Sequence, residues 1–283
     1  MIFLITGATG DVGSKLVDGL IRCGERPRVF VRDKEKAQSR FANGVDIFVG
    51  DLADATSFKA ALEGVEALFL LNSGPQIPAR DELAAKSAKA AGVRLVVKLS
   101  SMDVQHGLAI GAWHEQGEAA IRETGIPFTF VQPTGFMSNL LAWAPSVRTD
   151  SVVRSATGEG RRAFIHSEDI AAVSVRALTT GSYEGQALPI TGPDALSFAE
   201  VAFRLGAAIG KPVAYVPISD DEARRRYSAI SGSEEETEAH IALWRAIREG
   251  RLATVTDHVE RILGRKPIAL DQWIAENTAA FRE

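Results

Sequence analysis

One cysteine, Cys23, is all the chain carries among 283 residues, so no internal disulfide forms and most cysteine-based metal sites are excluded. It sits at the end of the first helical stretch, where a semi-buried packing residue is expected. No uninterrupted apolar run approaches the roughly 20 residues that a membrane-spanning helix needs, so no membrane partner is expected. Positive charge is not in excess: 32 Lys and Arg stand against 36 Asp and Glu, a formal charge of −4, and no global field favours nucleic acid. The short basic run Arg224-Arg225-Arg226 is flanked by acids and reads as a solvated helix face. His106, His240 and His258 are scattered without metal-ligand spacing, so no metal is expected. The first strand starts at Ile2, which leaves no room for a signal or transit peptide and makes a cytoplasmic location the expectation. No internal repeat or low-complexity linker interrupts the chain.

What is present begins at the N-terminus. Ile2 to Thr6 is an apolar run of strand type, a glycine-rich turn from Gly7 to Gly13 follows, and then an amphipathic helix. Glycines let a backbone turn tightly and approach a pyrophosphate, while a helix N-terminus offers free N–H groups and a favourable dipole. Gly7, Thr9, Gly10, Asp11, Val12 and Gly13 are therefore expected to contact a nucleotide. The spacing is GxxGxxG rather than GxGxxG, which resembles the extended and atypical branches of the short-chain dehydrogenase/reductase superfamily.

Strands and helices then alternate. Segments 26–32, 45–50, 65–72, 93–100 and 127–133 read as strands, with helices near 33–41, 54–63, 78–91 and 111–124 between them. Near-continuous apolar strands separated by helices imply an α/β fold: a doubly wound parallel sheet covered on both faces, with its ligand at the carboxyl ends of the strands. Residues 148–162 read as loop, 163–178 as a strand running into a helix, and 186–193 as a strand with a stop. Beyond Leu196 helices dominate, with a short strand at 213–218. With 46% hydrophobic residues and this length, two domains are expected. A cofactor domain would span 1–150 and a smaller, mostly helical substrate domain 151–283, with 161–190 returning to the first.

The position that usually holds an acid for the ribose of NAD is here Arg32, with Asp33 beside it and Lys34 and Lys36 beyond. Arginine pairs with a 2′-phosphate, which favours NADP(H) over NAD(H); Asp33 can cap the next helix and still reach a ribose. Asp51 and Leu52 end the third strand, where the carboxylate suits an adenine amino group. Asn72 and Ser73 end the fourth, where small polar residues pass close to a cofactor.

Over 4–219 the motifs LITGATGDVG, VFVRD, VGDLAD, VVKLSS, GEAAIRETGIPFTFVQPTGFMSNL, RRAFIHSEDIAAV and LPITGPDALSFAEVAFRLGAAIGKPVAYVPIS resemble the NmrA-like family of atypical short-chain dehydrogenases, and RKPIALDQWIAEN looks like its last helix. The resemblance implies an NAD(P)H-dependent reductase of quinones, triphenylmethane dyes or related aromatics, or a nucleotide-binding regulator that has lost catalysis. It places Ser100 and Pro133 beside the cofactor, and Phe136, Met137, Asn139 and Trp143 along a substrate cavity. Ser167 and Asp169, in a motif the family uses to join its domains, look like helix caps.

The Tyr-x-x-x-Lys of conventional members is missing: the corresponding helix reads Trp113-His114-Glu115-Gln116-Gly117-Glu118, and the strand-end serine survives as Ser100 or Ser101. Simple alcohol oxidation is therefore not expected. A quinone or extended conjugated aromatic, including polyketide types, needs mainly to be positioned over the nicotinamide. His114 with Ser101 would then serve the proton, and Glu118, one turn on, would keep the imidazole charged; alternatively His114 begins an exposed helix and does nothing. The reading is an NADPH-dependent reductase that requires neither flavin nor metal and takes a small aromatic substrate. Its rivals are an NADP(H)-sensing regulator acting through a partner and an isomerase using the cofactor transiently. The oligomeric state stays open.

Overall fold

The computed structural model describes residues 1–282. The first strand, β1 (Phe3–Thr6), is buried along its whole length. The Gly7–Gly10 turn leads into α1 (Asp11–Arg22), which buries Leu16, Val17 and Leu20 at helical spacing. The alternation continues through β2 (Arg28–Val31), α2 (Lys34–Phe41), β3 (Asp46–Val49), α3 (Ala55–Ala61), β4 (Ala67–Leu70) and α4 (Ile77–Ala90). It closes with β5 (Leu95–Leu99), α5 (Ala109–Glu123) and β6 (Phe128–Pro133). These bounds match the sequence periodicity to within two residues. Cys23 is exposed at the C-cap of α1 rather than semi-buried, because the helix ends there and the chain turns outward through Gly24.

The region expected to be loop, 148–162, is more ordered than its composition suggests. It holds the end of α6 (Ala144–Asp150), then β7 (Val152–Ser155) and β8 (Arg161–Ala163). After α7 (Ser167–Thr180) come β9 (Gln186–Ile190), β10 (Ala195–Ser197), α8 (Phe198–Ile209) and β11 (Ala214–Pro217). The helices α9 (Asp220–Ser228), α10 (Glu234–Arg248), α11 (His258–Leu263) and α12 (Leu270–Arg282) complete the chain. β7 pairs in parallel with β11, and β8 antiparallel with β10, so each finds its partner far along the chain.

The main sheet has the order β3-β2-β1-β4-β5-β6-β9, and every pairing from β3 to β6 is parallel. Strand order reverses between β1 and β4, which opens a crevice at their carboxyl ends. The chain divides into two compact units. The first comprises 1–104, 111–133 and 167–189, so it passes to the second at Thr134 rather than near 150. Its core packs Leu4, Phe58, Leu62, Leu68, Val96 and Phe130. Each such fully buried side chain contributes about 1.5–3 kcal/mol. The second comprises 105–110, 134–166 and 190–282 of the described chain, with Phe164, Leu205, Ile247, Trp273 and Phe281 in its core. Among the described residues no helix is long and apolar enough to cross a membrane.

Candidate functional site

The crevice of the first unit is a cleft of about 350 Å³ at the carboxyl ends of four adjacent strands. β1 contributes the turn Gly7–Gly10, β2 contributes Arg32, β3 contributes Asp51 and Leu52, and β4 contributes Asn72 and Ser73. Lys36 reaches the cleft from α2 and Arg80 from α4. Gly7 has φ +63°, a conformation that glycine adopts without strain. A Cβ on Gly13 would lie 2.2 Å from the Gly7 carbonyl oxygen, so only glycine lets α1 start this close to the turn. No side chain caps α1 at Gly10, which leaves its first N–H groups open to an anion. Backbone cradle and uncapped helix together fit the pyrophosphate of a dinucleotide.

Three cations, Arg32, Lys36 and Arg80, line this cleft, and among the described residues none of their side chains is engaged in an ion pair or hydrogen bond. Asp33 is the N-cap of α2, its Oδ1 accepting from the Lys36 N–H at 2.9 Å. Asp51 Oδ1 accepts from the Ala53 N–H at 2.8 Å and so holds its own strand-end turn. Asp11, Val12 and Gly13, the first residues of α1, follow directly on this lining, Asp11 exposed and Val12 and Gly13 buried. Asp11 is bonded by Lys15 and by the Ser167 hydroxyl, which therefore joins α7 to α1.

Beneath the strand ends lies a polar interior. Lys98 of β5 and Asp81 of α4 are both 0% exposed, with Nζ 2.6 Å from Oδ2, an ion pair whose atoms are not aligned as a hydrogen bond. Asp81 Oδ1 accepts from Asn72 Nδ2 at 2.5 Å. Glu118, 1% exposed on α5, accepts from the Ser100 hydroxyl at 2.6 Å and from Gln132 Nε2 at 2.8 Å, and pairs with Arg122 at 3.1 Å. Ser101 Oγ accepts from the Asp103 N–H.

His114 is buried in the middle of α5, not exposed at its start, and its Nδ1 has no hydrogen-bond partner. Burial first, and the Lys98 charge second, hold its pKa well below 6.5. The expectation that Glu118 keeps it charged is corrected: that carboxylate is committed to Ser100, Gln132 and Arg122, and at neutral pH His114 is the neutral imidazole.

In the second unit, Met137 is 1% exposed and packs with Leu140, Phe164 and Phe198 in the core. The Trp143 ring lies 5.2 Å from that of Phe198. Phe136 is half-buried in a bridge to Ile165, and Asn139 is exposed. Pro133 is buried at the end of β6. Among the described residues, no group of His, Cys, Asp or Glu is arranged to hold a metal ion.

Arg80, Asp81 and Lys98 are site residues that the sequence reading missed. Arg80 lies inside a helical stretch with no motif around it, and Lys98 alternates into an apolar strand where a lone lysine reads as an edge or surface position. The burial of its neighbours Val96, Val97 and Leu99 was the signal that it has a partner.

The model of the NmrA-like family matches residues 2–243. The chain is 36% identical to a (4-alkanoyl-5-oxo-2,5-dihydrofuran-3-yl)methyl phosphate reductase of Streptomyces griseus, over 99% of both chains. It is 35% identical to an NAD(P)H azoreductase of Xenophilus azovorans, again over 99% of each. Among solved structures, an NADPH-dependent quinone oxidoreductase of Escherichia coli complexed with NADPH superimposes with a TM-score of 0.88. It is 25% identical, covering 98% of this chain and 99% of that one.

Proposed function

The chain belongs to the NmrA-like family and is an oxidoreductase, and from that premise we propose that it is an NADPH-dependent reductase of a quinone or a similarly electron-poor conjugated compound. The observation that carries the cofactor reading is the set of three unengaged cations in the cleft that also holds the glycine turn. Arg32, Lys36 and Arg80 suit a 2′-phosphate, and one carboxylate, Asp51, suits the adenine amino group. The open N–H groups of α1 take the pyrophosphate, and Asn72 and Ser73 meet the cofactor where it passes the end of β4.

When bound, NADPH supplies a hydride, and the acceptor takes up that hydride together with one proton. The residues of the chain bind, orient and exclude water. With no Tyr-x-x-x-Lys and a neutral His114, no strong acid is held ready, which suits an acceptor whose reduced form is protonated easily. His114, donating as a neutral imidazole, and solvent are the two proton sources that this chemistry admits. Phe136, Asn139 and the partly buried Trp143 keep accessible surface and are assigned to substrate; Met137 supports them from the core. The substrates named for the three relatives, a butenolide phosphate, an azo compound and a quinone, share a polarised conjugated bond. A regulator without turnover is not favoured, since both full-length relatives at 35–36% identity bear the names of reductases.

The test is NADPH consumption by purified protein against quinones, azo dyes and conjugated lactones, with cofactor binding measured alongside. Turnover with one class identifies the acceptor; binding without turnover across all three moves the reading to a cofactor sensor. Arg32→Ala should weaken NADPH binding about tenfold or more with little effect on NADH. Equal losses would remove Arg32 from the phosphate site.

A further inference from the structure

Among the described residues, Asn72 is the one cleft residue whose side chain is tied directly to the buried polar interior. An asparagine amide has nearly the same shape either way round, so its neighbours alone decide whether oxygen or nitrogen faces a ligand. Here the neighbour is the Asp81 carboxylate, which faces the Lys98 ammonium through one oxygen and accepts from Asn72 Nδ2 at 2.5 Å through the other. Lys98 Nζ lies 2.6 Å from the other carboxylate oxygen, and both side chains are fully buried. The carboxylate is also fixed from a third side. A Cβ built on Gly117 of α5 would lie 2.2 Å from Asp81 Oδ2, so helix and carboxylate touch only because position 117 is glycine.

Stability does not account for this arrangement. Taking a lysine and an aspartate to 0% exposure costs several kcal/mol per ion, and apolar replacements of such pairs are often neutral or stabilising. We propose that the Asp81–Lys98 pair is a positioning device: it holds the Asn72 amide so that the carbonyl oxygen is presented to the cleft, as acceptor for a hydroxyl or amino group of the bound dinucleotide. Asp81 and Lys98 touch no ligand themselves and act through Asn72. This rests on the cofactor reading above and adds to it a residue whose hydrogen-bonding sense is set from beneath.

The experiment is a double-mutant cycle on the full chain, with NADPH binding followed by titration calorimetry and folding by thermal melting. The proteins are wild type, Asn72→Ala, the apolar pair Asp81→Leu with Lys98→Met, and the triple variant. Losing one hydrogen bond, Asn72→Ala should weaken NADPH binding about five- to tenfold. The apolar pair should melt no lower than wild type yet bind several-fold more weakly, and adding Asn72→Ala to it should cost less than about twofold more. Wild-type affinity in the apolar pair, or losses that simply multiply, would overturn the proposal.

Should the apolar pair fail to fold, Gly117→Ala is the second probe. It favours the helix, lies outside the cleft lining and displaces the Asp81 carboxylate, so it should fold and bind NADPH several-fold more weakly. Unchanged affinity in Gly117→Ala would equally overturn the positioning role. A wild-type protein that binds neither NADPH nor NADH refutes the cofactor reading, and this proposal with it.

Discussion

An unperturbed histidine titrates near ~6.5, but burial and the nearby Lys98 charge hold His114 well below that value. As pH falls through the unfolded pKa, the unfolded chain takes up a proton at this position and the native state resists it, so stability drops with falling pH. His258, also held low by burial, acts with the same sign. Asp220, held at about 2 by Arg248 and Arg245, loses its contribution only in a separate window as pH falls from 3.8 through 2. The urea midpoint should therefore decline between pH 7 and 5, and His114→Gln should remove part of that slope; an unaltered slope would show that His114 titrates normally. In turnover, a limb near neutrality that disappears in His114→Gln would equally contradict the neutral imidazole. At this scale the sequence placed at strand ends residues that line the cleft, among them Arg32, Asp51 and Asn72. It did not show Lys98 or Arg80, because their partners and surroundings come from elements many residues away.

The turn between β1 and α1 is the element on which the proposed activity depends most, and its two inner glycines differ in kind. A Cβ on Gly10 would sit 3.3 Å from the Gly7 oxygen, a contact that yields with a small shift. A Cβ on Gly13 would meet the same backbone atom at 2.2 Å and could be relieved only by moving the helix. Gly13→Ala should accordingly destabilise the protein by about 1–3 kcal/mol and abolish tight cofactor binding, as overpacking does elsewhere. Gly10→Ala should stay within about 1 kcal/mol of wild type. Chemical denaturation compares them, and equal stability for the two would show that the turn is free to relax. The helices α9 and α10 are joined differently, by Asp220 bonding Arg245 and Arg248. The basic run at 224–226 is a solvated face, with Arg224 paired to Glu238 and Arg226 to Glu222. That role was legible from the flanking acids; β7 was not, since its ladder comes from β11, some 60 residues later.

At the scale of the whole molecule, the first unit is assembled from three stretches of chain, 1–104, 111–133 and 167–189. The last stretch supplies α7, which packs so closely on α1 that a Cβ on Gly19 would lie 2.9 Å from Val175, and β9, which borders β6. A fragment of residues 1–150 should therefore lack cooperative unfolding and bind no NADPH, by circular dichroism and calorimetry. A fragment that melts cooperatively and binds would show that α7 and β9 are dispensable. The sequence by itself determined the alternation of strands and helices, the parallel arrangement of the first six strands and the glycine turn between the first strand and helix. All of these are written in periodicities and spacings within some 30 residues of chain. Only the tertiary structure decided that His114 is neutral, that Glu118 serves Ser100 and Gln132, and that a buried Asp81–Lys98 pair stands under Asn72. Desolvation and charge pairing depend on what packs around a group in three dimensions, and no local pattern encodes which distant side chain that will be.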